Sequence, residues 1–312
     1  MPAPVEVRGL VKRYGEVVAV DGVDLTVEAG DVFGYLGPNG AGKTTSLRMM
    51  LGLIRPDAGE VRIFGRDPQV GVAALEGVAG FVEAPRFYPY LSGRTNLDLL
   101  AALDGGEAGR RIDWALDLVE LRGRAGDKVG GYSHGMRQRL GLAAALLRDP
   151  RLLLLDEPAT GLDPPGMRDM RRLIRRLAAE GMTVLLSSHL LAEVDELCNR
   201  VAILRRGRVA YQGSLAELRA AAGSEYRLRT TDDTRALAVC AAQAGIEDVE
   251  PGEGGGLRFR AAEEAAVGAL SVALVEAGAL VLELTPRHAT LEDLFFSLTE
   301  GGEEELELEA AA

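Results

Sequence analysis

Two short segments of this 312-residue sequence carry residue types that handle phosphate. The first is Gly37-x4-Gly42-Lys43-Thr44, preceded by the apolar run Val32 to Leu36 and followed by a helix-like run from Ser46 to Leu53. In that setting glycines let successive backbone N–H groups curl around a β-phosphate, and the helix adds its positive N-terminal end. The loop residues Gly37, Asn39, Gly40, Ala41, Gly42, Lys43, Thr44 and Thr45 are therefore candidates for holding a nucleotide. Lys43 would neutralise the β and γ oxygens, and the Thr44 hydroxyl would reach Mg²⁺. The second segment is Leu152-Leu153-Leu154-Leu155-Asp156-Glu157-Pro158. A buried strand of leucines lifts Asp156 to the edge of a sheet, where a carboxylate can hold the Mg²⁺ shell, and Glu157 can polarise an attacking water. Two acids after a strand also cap turns in many proteins, but Pro158 and the phosphate loop upstream favour the catalytic reading. No Asn-Lys-x-Asp segment reads guanine, so GTP specificity has no support.

A third feature lies between them. Ser133-His134-Gly135 places a Ser-x-Gly turn at the start of a helix, ahead of the Asp-Glu strand. A second anion-binding helix end on the same chain predicts contact with a nucleotide held by another copy, and hence a dimer clamped around ATP. Ser133 read as a plain helix cap is compatible with that role.

Positioning these groups needs strands that alternate with helices. Val5 to Leu10, Val17 to Val20 and Asp24 to Val27 read as short strands, with Val61 to Phe64 and Gly80 to Glu83 as further ones. Apolar spacing predicts helices within Thr95 to Leu121, over Gly141 to Leu147, over Met167 to Ala179 and over Leu190 to Leu197. Arg151 to Leu155 and Thr183 to Ser187 read as buried strands, and Val201 to Leu204 with Arg208 to Gln212 as a closing hairpin. Such alternation argues a mainly parallel sheet with helices packed on it. A boundary falls near Ala220 to Ser224. Beyond it, strands at Tyr226 to Thr230, Leu257 to Arg260 and Leu280 to Leu284 and helices at Arg235 to Ala244 and Glu263 to Glu276 make a small αβ module, with Glu250 to Gly256 as an internal turn or loop.

Charge separates the two parts. Of a formal net charge of −12, residues 216 to 312 contribute 20 acids against 7 bases. That acidity argues against nucleic acid or anionic lipid as partner of the C-terminal part. Cys198 and Cys240 have no metal-like or redox-like spacing, and reduced structural thiols are expected. Met1-Pro2-Ala3-Pro4 leads straight into a strand-like run rather than a signal peptide, and Val267 to Leu284, the most apolar stretch, is interrupted by Gly268, Glu276 and Gly278. A membrane role is therefore expected only through a partner.

Over about residues 3 to 215 the sequence resembles the ATP-binding subunit of an ABC transporter. Lys43 and its loop match Walker A, Leu152 to Asp156 match Walker B, and Glu157 matches the catalytic glutamate. Ser133-His134-Gly135 matches the signature motif, Thr160-Gly161-Leu162-Asp163 the D-loop, and His189 in Ser187-Ser188-His189 the switch histidine. Tyr14 stands where the family stacks an aromatic on adenine; the alternative for it is a core or surface tyrosine, and for His189 a buried helix cap. The resemblance implies an α/β fold: an ABC-type P-loop ATPase domain with RecA-like core, antiparallel β subdomain and helical subdomain, and a small C-terminal α+β domain. With the boundary near Ala220 and the acidic C-terminal run, the expected division is an ATPase domain at 1–219, an accessory or dimerisation domain at 220–302 and an acidic flexible tail at 303–312. The resemblance further implies Glu157, His189 and Lys43 as catalytic groups, Thr44, Glu83 and Asp156 at Mg²⁺, and Tyr14, Ser133, Gly135 and Asp163 at ATP. A second ATP-binding subunit, as a homodimer, and an integral-membrane permease are the implied partners, at the cytoplasmic face of the membrane and powering export, with no nucleic acid. A soluble ABC ATPase not coupled to transport is the alternative; it would carry a fused second ATPase, a coiled-coil insertion or a basic face, and none is visible.

Three departures stand out. The usual signature is Leu-Ser-Gly-Gly-Gln, and here Tyr132, His134 and Met136 replace its first, third and fifth residues. Glu83 stands where the family carries Gln as a Mg²⁺ and water ligand linked to the membrane subunit, as in exporters that protect against lantibiotics and bacitracin-like peptides; an added carboxylate is expected to tighten metal dependence or raise a neighbouring carboxyl pKa. Arg86 to Ser92 would face the membrane subunit's coupling helix. Finally, Glu283 to Pro286 and Thr290 to Phe296 resemble the extension of daunorubicin-type export ATPases, with dimer bracing or regulation as its implied use. Its stripe of Leu291, Leu294, Phe295 and Leu298 is read as self-packing rather than as a partner surface.

Overall fold

Five-residue strands made almost wholly of apolar residues dictate the centre of the molecule. In the computed structural model, which describes residues 2–103, 107–221, 224–252, 255–261, 263–288 and 290–300, the chain divides into two units, residues 1–214 and 215–312. The first contains β1 (Val5–Tyr14), β2 (Val17–Val27), β3 (Val32–Leu36), α1 (Lys43–Met50), β4 (Ala58–Ile63), β5 (Val78–Phe81), α2 (Gly93–Leu103), α3 (Ile112–Leu118), α4 (His134–Leu146), β6 (Leu152–Asp156), α5 (Pro164–Ala179), β7 (Thr183–Ser188), α6 (Leu191–Leu197), β8 (Arg200–Arg205) and β9 (Arg208–Ser214). Every residue of β3, β6 and β7 is buried, as expected of parallel strands covered on both faces.

The central sheet has the order β5-β6-β7-β3-β8-β9, parallel except for β9. A separate antiparallel sheet, β2-β1-β4, contributes Val5, Leu10, Val23, Leu25 and Ile63 to the same core as Phe33, Tyr35 and Leu47. Helix α5 turns Met170, Leu173, Ile174 and Leu177 inward and leaves Arg168, Arg172, Arg175 and Arg176 outside. The carboxyl ends of β3, β5, β6 and β7 open on one edge, where open α/β sheets bind their ligands.

Helix α4 begins at His134, seven residues before the helix expected over Gly141 to Leu147, because Ser133 caps it by accepting the Met136 N–H at 3.2 Å. The helical stretch expected from Thr95 to Leu121 holds two helices, α2 and α3; residues 104–106 lie outside the described residues. Gly141 of α4 sits against the loop that follows β5. A Cβ there would lie 2.2 Å from Pro85 Cγ and 2.7 Å from Pro85 Cβ.

The second unit consists of α7 (Leu215–Ala221), β10 (Ser224–Thr230), α8 (Asp233–Ala242), β11 (Ile246–Pro251), β12 (Leu257–Ala261), α9 (Glu264–Glu276), β13 (Val281–His288) and α10 (Leu291–Glu300). From β10 to β13 it follows a β-α-β-β-α-β path, with the antiparallel order β11-β12-β10-β13. Its core includes Leu228, Phe259, Leu270 and Leu274. Strand β11 corrects the loop expected from Glu250 onward. It is an edge strand, mostly exposed and interrupted by a bulge near Asp248 (φ 51°), so it lacks the apolar alternation that marks a strand. Leu291 and Leu294 of the α10 stripe are buried. The expected boundary residues Ala222 and Gly223, residues Glu253 and Gly254 of the expected loop, and the acidic tail 303–312 lie outside the described residues.

The Gly141 contact sets two effects against each other. Gly141→Ala would gain about 1 kcal/mol of helix propensity, whereas overpacking against Pro85 costs roughly 1–3 kcal/mol. Net destabilisation is expected as a lower urea midpoint at unchanged slope; a raised midpoint would mean that α4 and the Pro85 loop separate freely.

Candidate functional site

The phosphate loop is built by close approach. At Gly42, which has φ 103° and caps α1, a Cβ would meet the Ala19 carbonyl oxygen at 2.3 Å; at Gly37 it would meet the Leu204 carbonyl oxygen at 2.8 Å. No side chain fits at either position. Below the loop the buried Tyr35 hydroxyl bonds Ser46 Oγ at 3.0 Å, and Ser46 Oγ donates to the Gly42 carbonyl at 3.0 Å. Burial pushes the Tyr35 phenol pKa up, so it stays a neutral brace. Asn39 and Gly40 are exposed at the tip, Ala41 is buried and Thr45 is half-buried.

Lys43 is the first residue of α1 and is 6% exposed. Its ammonium donates to the carbonyls of Gly37 (2.6 Å) and Pro38 (3.2 Å) and lies 3.6 Å from Glu157 Oε1. Three acceptors thus surround a group with three protons to donate. Thr44 Oγ1 donates to Asp156 Oδ2 at 2.9 Å, tying the loop to the end of β6.

Strand register completes the arrangement. Asp156 lies opposite Ser187 in the β6–β7 pair, and Ser187 Oγ donates to Asp156 Oδ1 at 2.5 Å. The Glu157 N–H is received by Ser187 Oγ at 3.0 Å and by the Ser187 carbonyl at 3.2 Å. Glu157 adopts φ 49°, unusual for a residue with a side chain, and this turns its carboxylate back over the sheet edge. Two donors converge on Glu157 Oε2: Thr160 Oγ1 at 2.9 Å and His189 Nδ1 at 2.7 Å. A carboxylate oxygen can only accept, so Nδ1 of His189 carries the proton. Oε1 is left facing Lys43.

The structure therefore brings together Lys43, Thr44, Asp156, Glu157 and His189. Ser187 and Thr160 join them, although sequence reasoning gave neither a role; Ser187 was accessible from the register of two adjacent parallel strands. Tyr14 lies apart, half exposed at the end of β1, with Lys12 Nζ 5.7 Å from its ring centroid. Ser133 is exposed at the start of α4, and Gly135 packs beside Leu162. Asp163 caps α5 by accepting the Gly166 N–H at 3.0 Å. Tyr132 is buried, its hydroxyl donating to the Arg124 carbonyl at 2.7 Å, so it anchors the start of α4. Burial raises the Tyr132 pKa, and the Asp127 carboxylate adds to the shift. Glu83 has φ 69° in the loop after β5, and its carboxylate is ion-paired with Arg48 of α1, which compensates the extra negative charge at the site mouth.

A parallel sheet whose strand ends carry a phosphate loop, an Asp-Glu pair and a histidine defines a P-loop nucleoside triphosphatase. The family profile described as ABC transporter matches residues 20–160. The bacitracin transport ATP-binding protein BcrA of Bacillus licheniformis is 38% identical over 304 residues, 97% of this chain and 99% of that protein. The daunorubicin resistance ATP-binding protein DrrA3 of Streptomyces coeruleorubidus is 36% identical, covering 95% of each. A solved structure of an ATP-binding subunit of an ABC transporter superimposes with TM-score 0.62 at 31% identity, over 70% of this chain and 92% of that one. The chain belongs to the ABC transporter family of ATP-binding proteins. It is an ATP-binding member of a family that hydrolyses ATP. No helix among the described residues is long and apolar enough to cross a membrane.

Next to the site, Glu193 of α6 is 7% exposed, and its Oε1 has no hydrogen-bond partner among the described residues. Burial raises its pKa, partly offset by Arg171. An acid that holds its proton more tightly when folded stabilises the fold below its unfolded pKa and loses that contribution as pH rises through the folded value. Glu193→Gln should thus raise the melting temperature relative to the native chain, by a margin that grows as pH rises above the ordinary glutamate range. A margin independent of pH would contradict this.

Proposed function

We propose that the chain is the ATP-hydrolysing subunit of an exporter whose membrane-spanning part is a separate permease, working at the cytoplasmic face of the membrane. The observation that carries this reading is the convergence of Lys43, Thr160 and His189 on the two oxygens of Glu157. With Oε2 fixed by two donors, Oε1 is the oxygen that accepts a proton from the attacking water. Lys43 exchanges its loop carbonyls and Glu157 for β and γ oxygens of ATP as the nucleotide enters, which leaves Glu157 free to act as base. His189 presents its Nε2 side to the γ-phosphate, and Tyr14 stacks on adenine.

The residues present fit a Mg²⁺ ion. The Thr44 hydroxyl and Asp156 carboxylate are hard oxygen donors 2.9 Å apart, and so small a protein set suits an ion that keeps waters and phosphate oxygens around it. When bound, the ion would neutralise charge on the β and γ oxygens. Glu83 would join this set only by giving up Arg48.

Ser133 and Gly135 close over the ATP of a second copy, with Asp163 near the joint. This makes a homodimer in which each nucleotide touches both chains. A groove of about 460 Å³ lined by Phe81, Pro85, Phe87, Leu100 and Leu103 lies beside the Glu83 loop and is where the permease docks. The names of the relatives point to antibiotic, drug or peptide-like cargo. We assign residues 1–219 to the ATPase and 220–302 to a dimer brace; the compact units divide slightly earlier, after Ser214, and similarity to BcrA over 97% of the chain extends through both parts.

Glu157→Gln should lower turnover by about 10²-fold or more, while ATP with Mg²⁺ shifts the variant from monomer to dimer in sedimentation; native turnover would sink the assignment. A chain ending at Gly223 should dimerise more weakly in the same assay, and unchanged affinity would argue against the brace.

A further inference from the structure

The third signature residue, His134, makes a contact that a glycine at that position cannot make. As the first residue of α4 it places Nε2 3.1 Å from the Thr160 carbonyl oxygen. That oxygen can only accept, so Nε2 carries the proton and donates. Room for the ring comes from Gly161, where φ is 77° and a Cβ would lie 3.3 Å from Nε2. One residue along α4, Gly135 packs beside Leu162, where its Cβ would sit 3.5 Å from Cδ2. The start of α4 thus rests on the segment from Thr160 to Leu162 at two successive residues.

That segment carries the groups that orient Glu157. The Thr160 N–H donates to the Glu157 carbonyl at 3.1 Å, the Leu162 N–H to the Ala159 carbonyl at 3.2 Å, and Thr160 Oγ1 to Glu157 Oε2 at 2.9 Å. The turn is pinned at one end by Ser187 on the Glu157 N–H and at the other by the Asp163 cap of α5. Between those pins, a side chain from outside the turn reaches its backbone at Thr160, and that side chain is His134.

We propose that His134 is a positioning residue for hydrolysis: by holding the Thr160 peptide it fixes the hydroxyl that, with His189, directs Glu157. Its neighbour Ser133 caps the same helix end, so the hydrogen bond makes the setting of Glu157 depend on the position of that end. The inference rests on the reading of Glu157 as the base.

The test is steady-state ATP hydrolysis by the full chain with MgATP, alongside binding of a fluorescent ATP analogue. His134→Gly should lower kcat by about tenfold, with KM and analogue affinity within about twofold, because misplacing a catalytic group by a fraction of an ångström slows the chemical step more than it weakens binding. His134→Gln, whose amide nitrogen reaches as far as Nε2, should restore most of kcat, whereas His134→Asn, which ends short of Thr160, should not. Thr160→Val should lower kcat similarly, and the His134→Gly, Thr160→Val double variant should lose no more than the larger single effect. Native kcat in both His134→Gly and His134→Asn, equal losses in kcat and affinity, failure of the Gln variant to recover, or additive effects in the double variant would each overturn the proposal. Glu157→Gln run in parallel separates the two readings. An inactive Glu157→Gln with a normal His134→Gly removes this inference alone, and an active Glu157→Gln removes both.

Discussion

The pairing of β6 with β7 is the constraint from which the site follows. With Leu152 opposite Thr183, Asp156 comes to lie beside Ser187, and both strands end at the same height as β3 and its phosphate loop. Side chains alternate along a strand, so a slip of one residue would turn Asp156 and Ser187 to opposite faces. All five residues of β6 are buried among apolar neighbours. The hydrophobic effect, at about 25 cal/mol per Å² of apolar area removed from water, therefore sets the register. The hydrogen bonds of Ser187 to Asp156 and to the Glu157 N–H are consequences of that register; each contributes about 1 kcal/mol and could not impose it. Apolar packing decides where the carboxylates stand, and polar contacts decide which way they point.

The same division explains the charge pattern at the strand ends. Asp156, Glu157 and Glu83 bring three carboxylates toward one edge, which is unfavourable unless each has a compensating partner. Asp156 takes two hydroxyl donors, Glu157 takes Lys43, Thr160 and His189, and Glu83 takes Arg48. Lys43 and Arg48 both lie on α1, so one short helix supplies both cations. Arg48 and Glu83 are well exposed, and a surface pair of that kind contributes little to stability. What the pair does is set a cation of α1 beside the extra carboxylate, so the carboxylate at this position is paired.

Much of this was legible in the residues themselves. The loop from Gly37 to Thr45, the leucine strand before Asp156 and the Ser-x-Gly helix start combine local chemistry with unbroken apolar runs, and all three are found where the sequence places them. Thr160 was harder to read. Its hydroxyl reaches Glu157 because Glu157 takes a left-handed backbone conformation, which residue type does not signal. Strand β11 was hidden because edge strands need no apolar face. The pairing of Glu83 with Arg48 spans 35 residues and depends on how α1 and the loop after β5 pack, which neither segment encodes alone.

His134 shows how a departure from a common motif can be absorbed without loss of the motif's geometry. Ser133 still caps α4, and Gly135 still leaves space against Leu162. A side chain at 134 would be only steric bulk at a helix start unless its ring N–H found a partner. It finds one in the Thr160 carbonyl, an oxygen that a glycine at 134 would leave to water or to other groups. Gly161, with no Cβ and a positive φ, is what lets the ring approach. The substitution is therefore tied to a second glycine outside the motif. Replacing Gly161 by any residue with a side chain would strain the backbone and crowd His134 together, so the two positions constrain each other even though 26 residues separate His134 from Thr160.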